Sequence, residues 1–175
     1  VDRVVDEIRQ AGGEAQGFVA DLGQLEATAG VVDGVIEAFG GLDILINNAG
    51  MNLPGALDAE DYEASWSRIM DVNLTAHVRL VRSALPHLEK SDAARVVNIA
   101  STEGVGAQPF VSAYTASKHG VIGLTRAMAV ELGQTLRSDL LQVLAGQADV
   151  LRRDATAAAD HVHQALVGEL FVLPR

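Results

Sequence analysis

Two apolar stretches decide the fold, residues 42–48 (LDILINN) and residues 95–101 (RVVNIAS). Each is short and contains a single charged residue, which is typical of a strand buried on both faces of a sheet. Helical periodicity surrounds them, over residues 25–39 and over a long segment, residues 60–89, in which apolar residues recur every three or four positions. Strands that alternate with helices predict an α/β fold with a parallel sheet and helices on both of its faces.

The flanking segments extend this alternation. A helical pattern opens the chain and stops at Gly12 and Gly13, and residues 16–22 (QGFVADL) are predicted to form a strand. A glycine-containing loop over residues 102–112 precedes a predicted helix at residues 113–132. Beyond Gly133 the chain is rich in Ala and Leu, and a helical tail without a functional signature is expected over residues 134–175.

Composition limits the classes of partner. A chain of 175 residues with 49% hydrophobic and 21% charged side chains predicts about one globular domain. The net charge of −10 disfavours nucleic acid and anionic membrane surfaces, so a small-molecule or protein partner is expected. The chain has no cysteine and no apolar run long enough to span a bilayer, and a cytoplasmic protein is expected. His161 and His163 point in different directions on a helix, and no metal site is expected there.

A tyrosine and a lysine in residues 114–118 (YTASK) provide the first chemistry. Tyr114 and Lys118 are four residues apart, so on a helix their side chains share a face. An ammonium about 4 Å from a phenol favours the ionised phenol by roughly 4 kcal/mol at an effective dielectric of about 20. Such a pair predicts a phenol that exchanges protons near neutral pH.

Three further matches in the right order make the pair specific. Asn73 lies in the long helix, Ser101 ends a strand, and residues 47–50 read NNAG. In these features the chain resembles the short-chain dehydrogenase/reductase family, over residues 1–133. The resemblance implies a catalytic set of Asn73, Ser101, Tyr114 and Lys118. It also implies that Tyr114 exchanges a proton with the substrate, that Ser101 holds the reacting oxygen, and that Asn73 holds a water that resupplies the proton.

The resemblance further implies a nicotinamide cofactor, NAD or NADP, and a secondary alcohol or ketone as substrate. Lys118 would then contact the cofactor ribose as well as tune Tyr114. The implied cofactor-binding residues are Asp21, Leu22, Asn48, Ala49, Gly50, Tyr114 and Lys118. Trp66, Gln108 and Phe110 are candidates for the border of the substrate pocket. The helices that contain Asn73 and Tyr114 imply a homodimer or homotetramer.

Two departures from the family pattern matter. The glycine-rich TGxxxGxG turn that receives the cofactor pyrophosphate has no counterpart in the 175 residues. The expected fold is therefore a Rossmann-like, doubly wound parallel sheet that is incomplete, without its first two strands. In the family strand order 3-2-1-4-5-6-7 these two would lie between residues 17–22 and residues 42–48, and a gap is expected there. After residue 133 the family pattern is lost. Weak cofactor affinity is expected, because the turn that receives the pyrophosphate has no counterpart.

Two other functions stay open from the sequence. The chain could be a non-catalytic remnant that serves as a self-association module through the helices at residues 60–89 and 113–132. The epimerase/dehydratase branch of the same superfamily shares the Tyr-Lys pair, but the NNAG strand end argues against it.

Overall fold

The computed structural model describes residues 1–133, 140–143 and 171–173. The helices are α1 (Asp2–Gln10), α2 (Leu25–Phe39), α3 (Tyr62–Met70), α4 (Ala76–Leu88) and α5 (Ser112–Leu132), and a π-helical turn (Asp71–Thr75) joins α3 to α4 without a break. The strands are β1 (Ile44–Asn47), β2 (Arg95–Ile99), β3 (Leu140–Val143) and β4 (Phe171–Leu173). Among the described helices, none is both long and apolar enough to cross a membrane.

The sheet has four strands in the order β3-β2-β1-β4. β1 and β2 are parallel, with Ile44 opposite Arg95 and Asn47 opposite Asn98. β3 continues the parallel sheet beyond β2, whereas β4 pairs antiparallel with the other edge of β1. The predicted α/β class with a Rossmann-like parallel core is confirmed.

The main core lies where α2 and α4 cover β1. Val35 of α2, Leu45 of β1 and Leu80 of α4 are all essentially inaccessible to solvent within one hydrophobic cluster. Burial of such side chains stabilises the fold by about 1.5–3 kcal/mol each. The predicted helices over residues 25–39, 60–89 and 113–132 are therefore present, and they fix the carboxyl ends of β1 and β2 where the polar residues lie.

The strand predicted at residues 16–22 was wrong. The segment is irregular and ends in a turn, in which the Gln24 amide donates to the Asp21 carbonyl. A strand needs a neighbouring edge for its backbone hydrogen bonds, and both edges of β1 are taken by β2 and β4. The apolar residues of the segment are still used, because Leu22 is buried in the main core and Phe18 packs against it.

The predicted helical tail was also wrong at two places, since residues 140–143 and 171–173 are strands. Short apolar runs are compatible with a helix or a strand. These two segments are strands because they pair with β2 and β1. β4 occupies the edge of β1 at which the gap was expected, so the described strands form one continuous sheet. The rest of the tail, including His161 and His163, lies outside the described residues.

Candidate active site

The carboxyl ends of β1 and β2 are tied together by buried polar side chains. The Asn47 amide nitrogen donates to Asn98 Oδ1 at 2.8 Å, and the Asn98 amide nitrogen donates to Thr125 Oγ1 of α5 at 2.9 Å. Hydrogen bonds of this kind are required when amides are buried, and they also fix register. The two strand ends are thereby held at a constant position relative to α5.

Asn73 lies in the π-helical turn and is completely buried. Its Oδ1 accepts from the Met51 amide at 2.8 Å, and its Nδ2 donates to the Met51 carbonyl at 2.9 Å and to Ser117 Oγ at 3.1 Å. A π turn widens a helix locally and is frequent at functional sites. This π turn orients the side-chain amide of Asn73 toward the backbone that follows Gly50 and toward α5.

Lys118 is only 3% exposed, although it is a lysine. Its Nζ donates to the Ile99 carbonyl at the end of β2 at 2.9 Å and lies 5.7 Å from the centroid of the Tyr114 ring. Burial lowers the pKa of Lys118 to about 8, so the amine is still mostly charged at pH 7. Tyr114 and Lys118 share a helix face, as predicted, and the charged amine therefore lies beside the phenol ring. Two of its three N–H groups are left for other acceptors.

Gly50 leaves the space in front of this amine open. A Cβ at Gly50 would lie 3.4 Å from Asn73 Oδ1 and 3.6 Å from Lys118 Nζ. Asn48 and Gly50 are exposed, whereas the Ala49 side chain between them is buried. The NNAG segment thus forms an accessible backbone edge directly beside Asn73 and Lys118.

Ser101 and Tyr114 are the other two predicted catalytic residues. Ser101 is buried just after β2, and its Oγ accepts from the Glu103 amide at 3.2 Å. Tyr114, in the first turn of α5, is partly exposed. Ser101 follows the lysine acceptor Ile99 by two residues, so the structure brings all four predicted catalytic residues to the same end of the sheet.

Asp21 and Leu22 behave differently from the other predicted cofactor residues. Asp21 Oδ1 is 2.8 Å from Arg68 Nη2 of α3 and accepts from the Gly23 amide at 3.0 Å. These hydrogen bonds hold the pKa of the Asp21 carboxyl below its usual value. Leu22 faces the core. The Asp21 carboxylate already has partners within the chain, and the Leu22 side chain is not available to a ligand.

Two buried residues near the site were not predicted. His77, one helical turn after Asn73, is 1% exposed, and burial and the nearby Lys118 ammonium lower its pKa to about 4. Glu103 is buried two residues after Ser101. Neither has a sequence signal beyond its position, since one histidine in an apolar helix and one glutamate in a loop are ordinary.

A shallow pocket lies between α3 and the start of α5. Its lining includes Leu53, Tyr62 and Phe110. Phe110 has a φ of +65°, its carbonyl accepts from the Gly55 amide at 2.8 Å, and its side chain is exposed. The left-handed backbone of a non-glycine residue is costly and is concentrated at functional sites. Of the predicted border residues, Phe110 lines this pocket, whereas Gln108 is bonded to Glu103.

The chain is similar to known proteins. The family model described as short chain dehydrogenase matches residues 1–168. D-beta-hydroxybutyrate dehydrogenase of Rhizobium meliloti is 38% identical over 139 residues, covering 74% of this chain and 53% of that protein. The (2S)-[(R)-hydroxy(phenyl)methyl]succinyl-CoA dehydrogenase subunit BbsD of Thauera aromatica is 41% identical over 137 residues, covering 77% of this chain and 53% of that protein.

A solved structure agrees with the sequence relatives. The crystal structure of a metagenomic short-chain oxidoreductase in complex with NADP matches with a TM-score of 0.78 and 34% identity, covering 89% of this chain and 73% of that one. The parallel strands and the polar residues at their carboxyl ends define a Rossmann-like α/β protein. The chain belongs to the short-chain dehydrogenase/reductase family. It spans about half the length of the curated relatives that it matches.

Proposed function

We propose that this chain contributes to an NAD(P)-dependent oxidoreductase that interconverts small secondary alcohols and ketones. The observation that supports it most is the Lys118 amine, which is buried, bonded to Ile99 and placed beside the Tyr114 ring. Burial of a charged amine is unfavourable unless polar contacts compensate, and such perturbed groups concentrate at functional sites. Relatives named as dehydrogenases and a related structure with NADP are consistent with this chemistry.

The residues present fit the nicotinamide end of the cofactor. Lys118 has donors left for ribose hydroxyls, and a Cβ at Gly50 would fill the space beside its Nζ. Asn48, Ala49 and the Gly50 backbone edge are proposed to hold the same sugar. When bound, the nicotinamide supplies or accepts the hydride. Asp21 is proposed as an adenine contact only together with a rearrangement of its Arg68 pair, and no contact is proposed for the buried Leu22 side chain.

Residues of the protein are proposed to transfer the proton and to orient the substrate. The Tyr114 hydroxyl gives a proton to the carbonyl oxygen during reduction, and the Tyr114 phenolate takes the proton of the alcohol during oxidation. The Ser101 hydroxyl donates a hydrogen bond to the same oxygen and orients it. The Lys118 ammonium stabilises the phenolate that remains after proton transfer. Asn73 holds the backbone at Met51 and is proposed to support the water that returns the proton.

Replacement of Tyr114 by phenylalanine tests the function. Tyr114→Phe removes only the hydroxyl, and loss of a general acid lowers turnover by about 100-fold or more. The assay follows the absorbance of reduced nicotinamide with a panel of small secondary alcohols and ketones. Glu131→Ala, at an exposed position near the end of α5, is the control and should keep most activity.

The same measurements separate the alternative function. Equal turnover in Tyr114→Phe and the unchanged chain would contradict the proposal. Absence of turnover in all forms, together with self-association in size-exclusion chromatography, would support the self-association module instead. The proposed enzyme is also expected to be a homodimer or homotetramer, so oligomeric state alone does not distinguish the two functions.

A further inference from the structure

Glu103 has an unusual environment for a carboxylate. Its side chain is only 8% exposed, and its two oxygens accept hydrogen bonds from neutral donors. Gln108 Nε2 lies 2.9 Å from Oε1, and Thr115 Oγ1 lies 3.0 Å from Oε2. In the described part of the chain, no basic side chain forms an ion pair with it. A buried carboxylate is stable only where hydrogen bonds replace water, and both oxygens meet that condition here.

These bonds connect the two segments that carry the reacting hydroxyls. The short 3-10 helix Thr102–Gly104 begins directly after Ser101, and the Glu103 amide donates to Ser101 Oγ. Thr115, which donates to the carboxylate, directly follows Tyr114 in α5. The main chain of Glu103 therefore contacts Ser101, while its side chain is bonded to the residue next to Tyr114.

The same turn is packed tightly on α5. A Cβ added to Gly104 would lie 3.0 Å from the Lys118 carbonyl and 2.7 Å from Ile122 Cδ1. The close approach sets the separation between the turn and the helix. The hydrogen bond between Glu103 and Thr115 is directional, so it adds a restraint on the position of the turn along the helix.

We propose that Glu103 is a positioning residue that holds the Ser101 hydroxyl in register with the Tyr114 hydroxyl. The carboxylate acts through Ser101, Gln108 and Thr115 and does not touch the substrate. This inference rests on the proposed function only in taking Ser101 and Tyr114 as the reacting pair. Gln108 is thereby fixed as part of the loop, which explains why it bonds inward although it was expected at the pocket border.

The test measures the environment of Tyr114 directly by carbon NMR of the chain labelled at the tyrosine ring. The chain has two tyrosines, so Tyr114→Phe assigns the two signals and Tyr62 is an internal reference. Glu103→Ala should shift the Tyr114 signal and leave that of Tyr62 in place. It should also speed hydrogen exchange of the backbone amides of residue 103 and Gly104 about tenfold, which corresponds to about 1.4 kcal/mol for the loss of the two side-chain hydrogen bonds.

Further variants separate positioning from general destabilisation. Glu103→Gln keeps an acceptor for one of the two donors and should restore most of the Tyr114 signal position. Thr115→Val removes one bond at nearly constant volume, and it should shift the same signal even if Glu103→Ala does not fold. Glu131→Ala changes an exposed glutamate of α5 and should change nothing.

Two results would overturn the proposal. One is an unchanged Tyr114 signal in a folded Glu103→Ala or Thr115→Val chain. The other is an equal shift of both tyrosine signals, since a general loosening of the fold would explain it. None of these readings needs turnover, so a chain that shifts as expected but is inactive would refute the proposed function and leave the positioning role intact.

Discussion

At the scale of single residues, the buried His77 near the site is expected to make the stability of the fold depend on pH in the acid range. Both of its ring nitrogens are buried. Burial first, and the nearby Lys118 charge second, lower its pKa from 6.5 to about 4. The unfolded chain therefore binds a proton that the folded chain excludes. The contribution of His77 to stability is complete above pH 6.5 and is lost as the pH falls toward 4.

Acid sensitivity should follow this residue. Between pH 6.5 and pH 4 the unchanged chain should lose about 3 kcal/mol more unfolding free energy than His77→Leu, because folding lowers the pKa of His77 from 6.5 to about 4. Urea unfolding at several pH values measures the difference. His119→Leu, at an exposed position, is the control and should follow the unchanged chain. Parallel pH profiles for the unchanged chain and His77→Leu would contradict the assignment.

Residue spacing predicted the part of the site that belongs to a single helix. Tyr114 and Lys118 lie on the same side of α5, and a separation of four residues requires this in any α-helix. The Ile99 acceptor of Lys118 and the Arg68 partner of Asp21 could not be predicted in this way. Both join elements that are distant in sequence, and their contacts exist only after the sheet has assembled.

At the scale of elements, the contact between the turn Thr102–Gly104 and α5 determines how the site is closed. Gly104 is needed because of space, since its φ lies in the ordinary range. The atoms that a side chain would meet include the Lys118 carbonyl, which belongs to the helix backbone and cannot rotate away. A larger residue must therefore move the turn away from the helix.

Gly104→Ala should lower the unfolding free energy by about 1–3 kcal/mol, as overpacking usually does. Gly106→Ala is the matched control two residues later, because its nearest neighbour is the Thr102 carbonyl oxygen at 3.5 Å, an ordinary contact. It should change stability by less than about 0.5 kcal/mol. Denaturant unfolding compares the two variants. Equal stabilities would show that the turn tolerates displacement from α5.

The elements that sequence predicted well are those whose pattern is strong and local. α2, α5 and the strands β1 and β2 all follow from apolar runs with glycine or polar ends. The π turn at Asn73 was not predicted, because one extra residue in a long helix hardly alters its apolar periodicity. Residues 16–22 were predicted as a strand from composition, but strand formation depends on an available partner edge.

At the scale of the whole molecule, the sequence supplies the residues proposed for the nicotinamide end of the cofactor but no recognisable phosphate cradle. The 175-residue sequence contains no TGxxxGxG turn, although Lys118 and the NNAG edge are in place. Backbone amides at such a turn provide much of the attraction for pyrophosphate. Binding of the dinucleotide to this chain should therefore depend on its nicotinamide ribose.

Calorimetry on the 175-residue chain should find a Kd for NADH or NADPH that is weaker than micromolar. Nicotinamide mononucleotide should bind with similar affinity, because the adenosine and the second phosphate add little without the cradle. Lys118→Met is the control and should weaken both ligands equally. Micromolar dinucleotide binding, or a strong preference for the dinucleotide over the mononucleotide, would contradict this prediction.

The antiparallel strand β4 has a consequence for the behaviour of the sheet. Leu45 and its neighbours in β1 form backbone bonds with β2 on one side and with residues 171–173 on the other. Exposed strand edges template pairing between separate chains and lead to aggregation. By pairing its own distal residues with β1, the polypeptide shields this apolar strand from intermolecular pairing. A parallel strand from another chain could pair with this edge of β1 only by displacing β4.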